Sequence, residues 1–247
     1  LVEKSGPIRT VTLNRPAKRN ALNDQLLTEL RDAFAEPPGD EERVAVIRAN
    51  GPVFCSGMDL AQDKAALGKP ASIVDSLRAI ENYPLPVVGI VQGHAIAGGN
   101  EIALHCDFVV ASSAANFGMS LSQVGLAPNW FLTKKLMEVC GPVGAREILF
   151  LGEPLSATRM HELGFIARVA EPDALEQTAE ALIKRLAANA PLSLKIMKKT
   201  LVRQMAFRDA TPYDDIDEEV RQVSASDDAR EGVAARLEKR APTFTGR

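Results

Sequence analysis

Between Val87 and Leu104 the chain passes from an apolar run, through a glycine-punctuated turn, into an apolar helix. This transition constrains the rest of the fold most. Val87-Val88-Gly89-Ile90-Val91 reads as a buried strand. Gln92-Gly93-His94-Ala95-Ile96-Ala97-Gly98-Gly99-Asn100-Glu101 then reverses the chain, and Ile102-Ala103-Leu104 continues a helix that starts at about Gly98. The first amides of a helix have no intrahelical partner and sit at the positive end of its dipole. A developing negative charge can be held there. Glu101 falls inside the first helical turn, beside whatever those amides bind. A structural account is also open at this point: the glycines permit close helix–strand packing and Glu101 caps the helix.

The units before it repeat the pattern. Ile8–Leu13 alternates as a strand, followed by the polar loop Asn14–Asn20. Leu22, Leu26, Leu27, Leu30 and Phe34 share one face of an amphipathic helix, stopped by Glu36-Pro37-Pro38-Gly39-Asp40. Val44–Ile47 is a second buried strand, so the order strand, helix, strand predicts a parallel α/β arrangement. Gly51–Leu60 is a second glycine-punctuated turn after a strand, and it parallels the one at Gly98. Each of these turns can offer one backbone N–H to a shared oxyanion. Residues 61–70 read as a mobile polar loop, and Ile73, Leu77 and Ile80 as a helix.

After the central turn the sequence predicts a strand at Phe108–Ala111 and a short strand or turn at Asn116–Gly118. Helices follow at about Leu132–Val139 and Ala145–Leu151, then a short strand at Phe165–Val169. From Pro172 onward the periodicity is helical, with Leu175, Ala179, Leu182, Ile183 and Leu186 on one face. These tail helices are expected to pack on the core or on a neighbouring subunit.

Composition excludes several classes. A net charge of −3 gives no electrostatic case for nucleic acid, and no apolar run approaches a membrane span. Three scattered cysteines are too few for a disulfide framework or a zinc site, and three histidines make a histidine-rich metal site unexpected. A reducing, cytoplasmic setting is therefore expected. Ser56 and Ser120 lack the elbow of a serine hydrolase, and nothing near Cys55 lowers its pKa.

Four stretches together resemble the crotonase, or enoyl-CoA hydratase/isomerase, superfamily. They are Thr12-Leu13-Asn14-Arg15-Pro16 with Asn20-Ala21-Leu22; Phe54-Cys55-Ser56-Gly57-Met58-Asp59-Leu60; Gly93 through Ala103 with Cys106-Asp107; and the tail from Asn189-Ala190-Pro191 to Phe244. The resemblance implies an α/β fold, a core of repeated ββα units over residues 1–188. A helical region, 189–247, would build trimers or hexamers. It implies an acyl-CoA thioester as substrate, with coenzyme A as part of that substrate and no other cofactor. The backbone N–H groups of Met58 and Gly98 would hold the thioester oxygen, with Glu101 as an acid–base group. CoA contacts are implied at Lys18, Asn20, Ala21, Leu22, Ser56, Asp59 and Leu60. Lys239 and Phe244 would reach CoA from a neighbouring subunit.

One departure bears on mechanism. Hydratases of this family carry a second glutamate at the end of a Phe-Gly-x-Pro-Glu stretch, and here it reads Phe117-Gly118-Met119-Ser120-Leu121. Leucine cannot transfer a proton. The Gly-rich continuation is replaced by Pro128-Asn129-Trp130-Phe131, so Leu121 and Trp130 are expected to line the acyl pocket. Loss of one positioned acid–base group is worth roughly 10²–10⁴ in rate. The expectation is one-base chemistry on an enolate, with double-bond isomerisation favoured. The alternatives are a hydratase with a substitute second group and a catalytically weak acyl-CoA-binding protein.

Overall fold

The computed structural model describes residues 1–59 and 72–247, so Leu60 and the loop expected at 61–70 lie outside the described residues. Strands β1 (Val2–Ser5) and β2 (Ile8–Leu13) form an antiparallel pair. Helix α1 (Asp24–Ala35), strand β3 (Val44–Ala49), helix α2 (Ile73–Asn82) and strand β4 (Val87–Val91) follow. After β5 (Ala95–Ile96), α3 (Gly98–Leu104) and β6 (Phe108–Ser112) come β7 (Asn116–Gly118) and α4 (Trp130–Arg146). The core closes with β8 (Leu155–Ser156), α5 (Ala157–Glu162), β9 (Arg168–Ala170) and α6 (Leu175–Ala187). Helices α7 (Pro191–Met205), α8 (Asp214–Ala225) and α9 (Asp227–Glu238) complete the chain.

The main sheet has six strands in the order β1-β2-β3-β4-β6-β9, parallel from β2 onward. Parallel strands need both faces covered. Val44, Val46, Val88, Ile90 and Val110 point to one face and pack against Leu175, Ala179, Ile183 and Leu186 of α6. The alternate residues, Ala45 and Ile47 among them, face the larger core with α1 and α2. A second layer, β5-β7-β8, lies beyond the ends of these strands. Single bridges Cys55–Ala95 and Leu22–Met58 extend it across the chain.

The sequence placed Leu22 on α1, whereas the helix begins at Asp24 because the Asn23 side chain accepts the Leu26 N–H. Leu22 instead donates to Gly57 O at 2.8 Å and accepts from Asp59 N at 2.9 Å. The expected break between two helices near residue 140 is real: Gly141 at φ 66° interrupts α4, and the chain runs on as a π-helical turn over Glu147–Leu151. The last core strand falls at Arg168–Ala170, slightly later than the apolar run suggested, and Phe165 and Ile166 are buried in the core before it. No helix of the described residues is long and apolar enough to cross a membrane.

The α1 end of the sheet is held by a buried guanidinium. Arg9 of β2 is 0% exposed and donates to the Glu42 carboxylate at 2.8 and 3.1 Å. It also donates to the carbonyls of Ala33, Glu36 and Pro37, where α1 ends. Tyr83 donates to the same carboxylate at 3.0 Å. Removing one member of a buried pair strands the other charge, at about 3–5 kcal/mol. Glu42→Ala is therefore expected to lose about 3–5 kcal/mol in urea unfolding, with an unchanged slope.

Two rungs dock the tail on α4. Trp130 stacks on Tyr213 at 5.1 Å and 3°, and Lys134 bonds the Asp209 carboxylate at 2.8 and 2.9 Å. Helix α7 is pinned separately, by Lys198 to Asp107 at 2.6 Å and to Leu85 O at 3.2 Å. Helix α9 presses on the turn after Leu121: a Cβ at Gly232 would sit 2.4 Å from the Val124 carbonyl.

Candidate active site

The two glycine turns meet. Cys55 N–H donates to His94 O at 3.2 Å and Ile96 N–H to Cys55 O at 2.9 Å, which zips the turn carrying Met58 onto the turn carrying Gly98. Contact is too close for side chains: a Cβ on Gly57 would lie 2.9 Å from Ala97 Cβ and 3.5 Å from Gly98 N. A Cβ on Gly99 would lie 2.3 Å from Cys55 O. Ala97 adopts φ 48° and ψ −118°, a conformation that costs an alanine about 1–3 kcal/mol. This strain turns the chain from β5 into α3 and leaves Gly98 as the first helical residue. Among the described residues, neither the Met58 nor the Gly98 N–H has a protein acceptor.

Glu101 stands one turn into α3 and is only 9% exposed. Its backbone is tied at both ends, N–H to Ala97 O at 3.0 Å and C=O from His105 N at 3.1 Å. Among the described residues, no donor meets its carboxyl group and no cation neutralises it. Burial alone therefore pushes the carboxyl up to about 7. Such a group can both take and give a proton near neutral pH. It does not cap α3, whose N-terminal residue has no side-chain cap bond.

The other expected site residues divide. Leu22 and Ile73 flank the turn, their Cδ1 atoms 2.7 and 3.0 Å from where a Gly98 Cβ would be. Ser56 donates its N–H to Arg19 O at 3.1 Å. Asp59 pairs with Arg15 at 3.1 Å, and Arg15 also bonds Ala21 O. Asn20 is 0% exposed, with its amide spent on Arg15 N, Asn50 O and Val53 O, so its side chain builds the loop instead of facing a ligand. Lys18 is exposed on the same loop. Leu121 is half-buried against the main core. Trp130 stacks its indole on Tyr213 of the tail, and Asn129 caps α4 by accepting the Leu132 N–H at 2.8 Å. Lys239 ends α9, and Phe244 lies beside Ser122 and Phe150. Neither is brought to the Gly57–Gly98 contact within this subunit.

Cys55 is buried, which raises its thiol to about 12 and removes it as a nucleophile. A further residue near the site is His105, whose imidazole lies over the Glu101 turn. The available signal was its i,i+4 spacing from Glu101 in a helix too short to be held by its own hydrogen bonds.

Comparison with known proteins gives the same answer from independent directions. The model of the family described as enoyl-CoA hydratase/isomerase matches residues 3–247. The short-chain-enoyl-CoA hydratase of Clostridium acetobutylicum is 31% identical, over 97% of this chain and 95% of that protein. The 1,2-epoxyphenylacetyl-CoA isomerase of Escherichia coli is 32% identical, over 100% of this chain and 97% of that one. Among solved structures, methylmalonyl CoA decarboxylase superposes with a TM-score of 0.90 at 25% identity, covering 100% of this chain and 98% of that one. The α/β core with its helical tail is thus the crotonase fold, and the chain is an enzyme of the enoyl-CoA hydratase/isomerase family.

Proposed function

We propose that this enzyme moves a proton on the enolate of an acyl-CoA thioester, with Glu101 as its one acid–base group. The supporting observation is that the turns carrying the Met58 and Gly98 N–H groups, neither bonded among the described residues, meet within one helical turn of Glu101, whose buried carboxyl is pushed up to about 7. In a double-bond isomerisation, the Glu101 carboxylate takes the α-proton of a 3-enoyl thioester. The electron pair moves onto the thioester oxygen, where the two N–H groups meet it. The carboxyl then returns the proton to the γ-carbon as the double bond shifts into conjugation. One group serves both steps, so the leucine at position 121 is no obstacle. The isomerase relative is consistent with this reading.

A second reading is favoured by the decarboxylase neighbour. If the substrate carries a carboxylate on its α-carbon, loss of CO₂ leaves the electron pair as the same enolate. Protonated Glu101 then delivers one proton to the α-carbon, and again no second acid is required. A panel of 3-enoyl, 2-enoyl and α-carboxyacyl thioesters, with products identified by mass, separates isomerisation, hydration and decarboxylation. Binding without turnover of any of them would leave only an acyl-CoA-binding role.

Hydration by the wild type is expected to be slow. Leu121→Glu is expected to raise loss of crotonyl-CoA absorbance, by less than the ~10²–10⁴ a well-placed acid–base group supplies. Asn129 and Trp130 are committed to the α4 cap and the tail, so the new carboxylate enters a loop not shaped for it. Unchanged hydration in this variant would count against Leu121 facing the acyl group.

The assembly belongs to the same proposal. Leu192, Ile196, Met197 and Leu201 of α7 are exposed in the single subunit. We expect residues 189–247 to bury this face between subunits of a trimer or hexamer. Sedimentation at micromolar concentration checks it, and a stable monomer would contradict it.

A further inference from the structure

The helix that carries Glu101 is closed at its C-terminal end by a buried imidazole with no place in the chemistry above. His105 caps the C-terminal end of α3, four residues and about one turn after Glu101. Its ring is 2% exposed and stacks on Phe131 of α4, centroids 4.9 Å apart and planes within 16°. Nδ1 lies 2.8 Å from the Glu101 carbonyl oxygen, which also accepts the His105 backbone N–H. A carbonyl only accepts, so Nδ1 carries the proton and Nε2 is a bare lone pair. That Nε2 is buried and has no hydrogen-bond partner among the described residues. Burial above all, then Lys135, holds the ring neutral, its pKa lowered to about 4; Glu81 and the bond to the Glu101 carbonyl oppose this, and Lys134 adds a smaller lowering.

A phenyl ring would fill the same stack without burying an orphaned nitrogen, which carries its full desolvation cost. What the imidazole adds is the second bond to the Glu101 carbonyl. The bond matters because α3 has seven residues and begins at the strained Ala97. A helix this short does not hold itself in register. Glu101 is gripped on both sides, its N–H by the Ala97 carbonyl and its carbonyl by both the backbone N–H and the Nδ1–H of His105.

We propose that His105 is a positioning residue for Glu101: its Nδ1–H, clamped by Phe131, fixes the first turn of α3 and with it the direction of the Glu101 carboxyl. This rests on the reading of Glu101 as the proton-transfer group. A displacement of about 1 Å at a reacting group costs up to about 10² in rate. His105→Phe keeps the stack and removes the bond. It is expected to lower kcat about 10-fold to 10²-fold, with KM and thermal midpoint held. His105→Asn, whose amide N–H can stand where Nδ1–H does, is expected to recover most of kcat. His105→Gln, whose amide reaches the Nε2 position instead, is expected not to.

Wild-type kcat in His105→Phe would overturn the proposal. So would a loss in all three variants that tracks their thermal midpoints, since that is a packing effect. Glu101→Gln, run alongside, separates the two levels. If it turns over like wild type, the assignment of Glu101 falls, and this role with it. If it is inactive while His105→Phe is active, only the role of His105 falls.

Discussion

Glu101→Gln is expected to lower turnover of an acyl-CoA substrate by about 10²–10⁴ while leaving substrate binding nearly intact, because glutamine fills the space and cannot carry the proton. The wild-type pH profile carries the sign of the role. With the carboxyl at about 7, a base-catalysed proton abstraction rises as pH passes through about 7 and levels above it. A decarboxylation that uses the protonated form does the opposite. The same substitution has a signature that needs no substrate. The folded protein holds this proton more tightly than the unfolded chain, whose glutamate sits near 4.5. The stability contributed by the proton is therefore present in full below about 4.5 and is gone once the pH has risen past about 7. Glutamine keeps the neutral form at every pH. Glu101→Gln should match wild-type stability at pH 4 and exceed it by about 1–3 kcal/mol at pH 8, read from urea unfolding at both. Equal stability at pH 8 would mean that the carboxyl is ionised at no cost, against its burial.

Gly99→Ala is the second large effect. The new methyl would begin 2.3 Å from Cys55 O and 2.7 Å from Cys55 Cβ, in the seam that zips the two turns together. Backbone cannot swing aside as a side-chain end can, so α3 must move off the turn that carries Gly57 and Met58. Overpacking of this kind costs about 1–3 kcal/mol of stability. Separating the two N–H groups has a larger consequence, since losing one such donor costs about 10²–10³ in rate. The expected result is a folded protein with a thermal midpoint a few degrees lower and kcat reduced at least about 10²-fold. Retention of both would show that the seam tolerates displacement and that the two amides need not converge.

What the sequence disclosed followed from how local each signal is. The Gly98 turn was legible because strand, turn and helix are contiguous, and the order of apolar runs was enough to predict parallel strands. Leu22 was misplaced on α1 because its apolar character fits the helical stripe, while its backbone is claimed by Gly57 and Asp59. The stack of Trp130 on Tyr213 was not legible, because the two are remote in sequence and no local pattern links them. Asn20 was assigned as a CoA contact through the resemblance, while the three side-chain hydrogen bonds it makes to Arg15, Asn50 and Val53 follow no local pattern. His105 sat in plain view at a helical spacing from Glu101, but only its closeness to the Glu101 carbonyl gives that spacing a meaning.

The central claim is that the Met58 and Gly98 amides hold an enolate while Glu101 moves its proton. Exchange at the α-carbon reports this directly. A saturated acyl-CoA, which can be neither hydrated nor isomerised, is incubated in D₂O with wild type and with Glu101→Gln, and deuterium uptake is followed by mass spectrometry. Wild type is expected to exchange the α-proton well above the buffer rate, and Glu101→Gln at least about 10²-fold more slowly. Exchange no faster than buffer, or exchange that survives in Glu101→Gln, would contradict it.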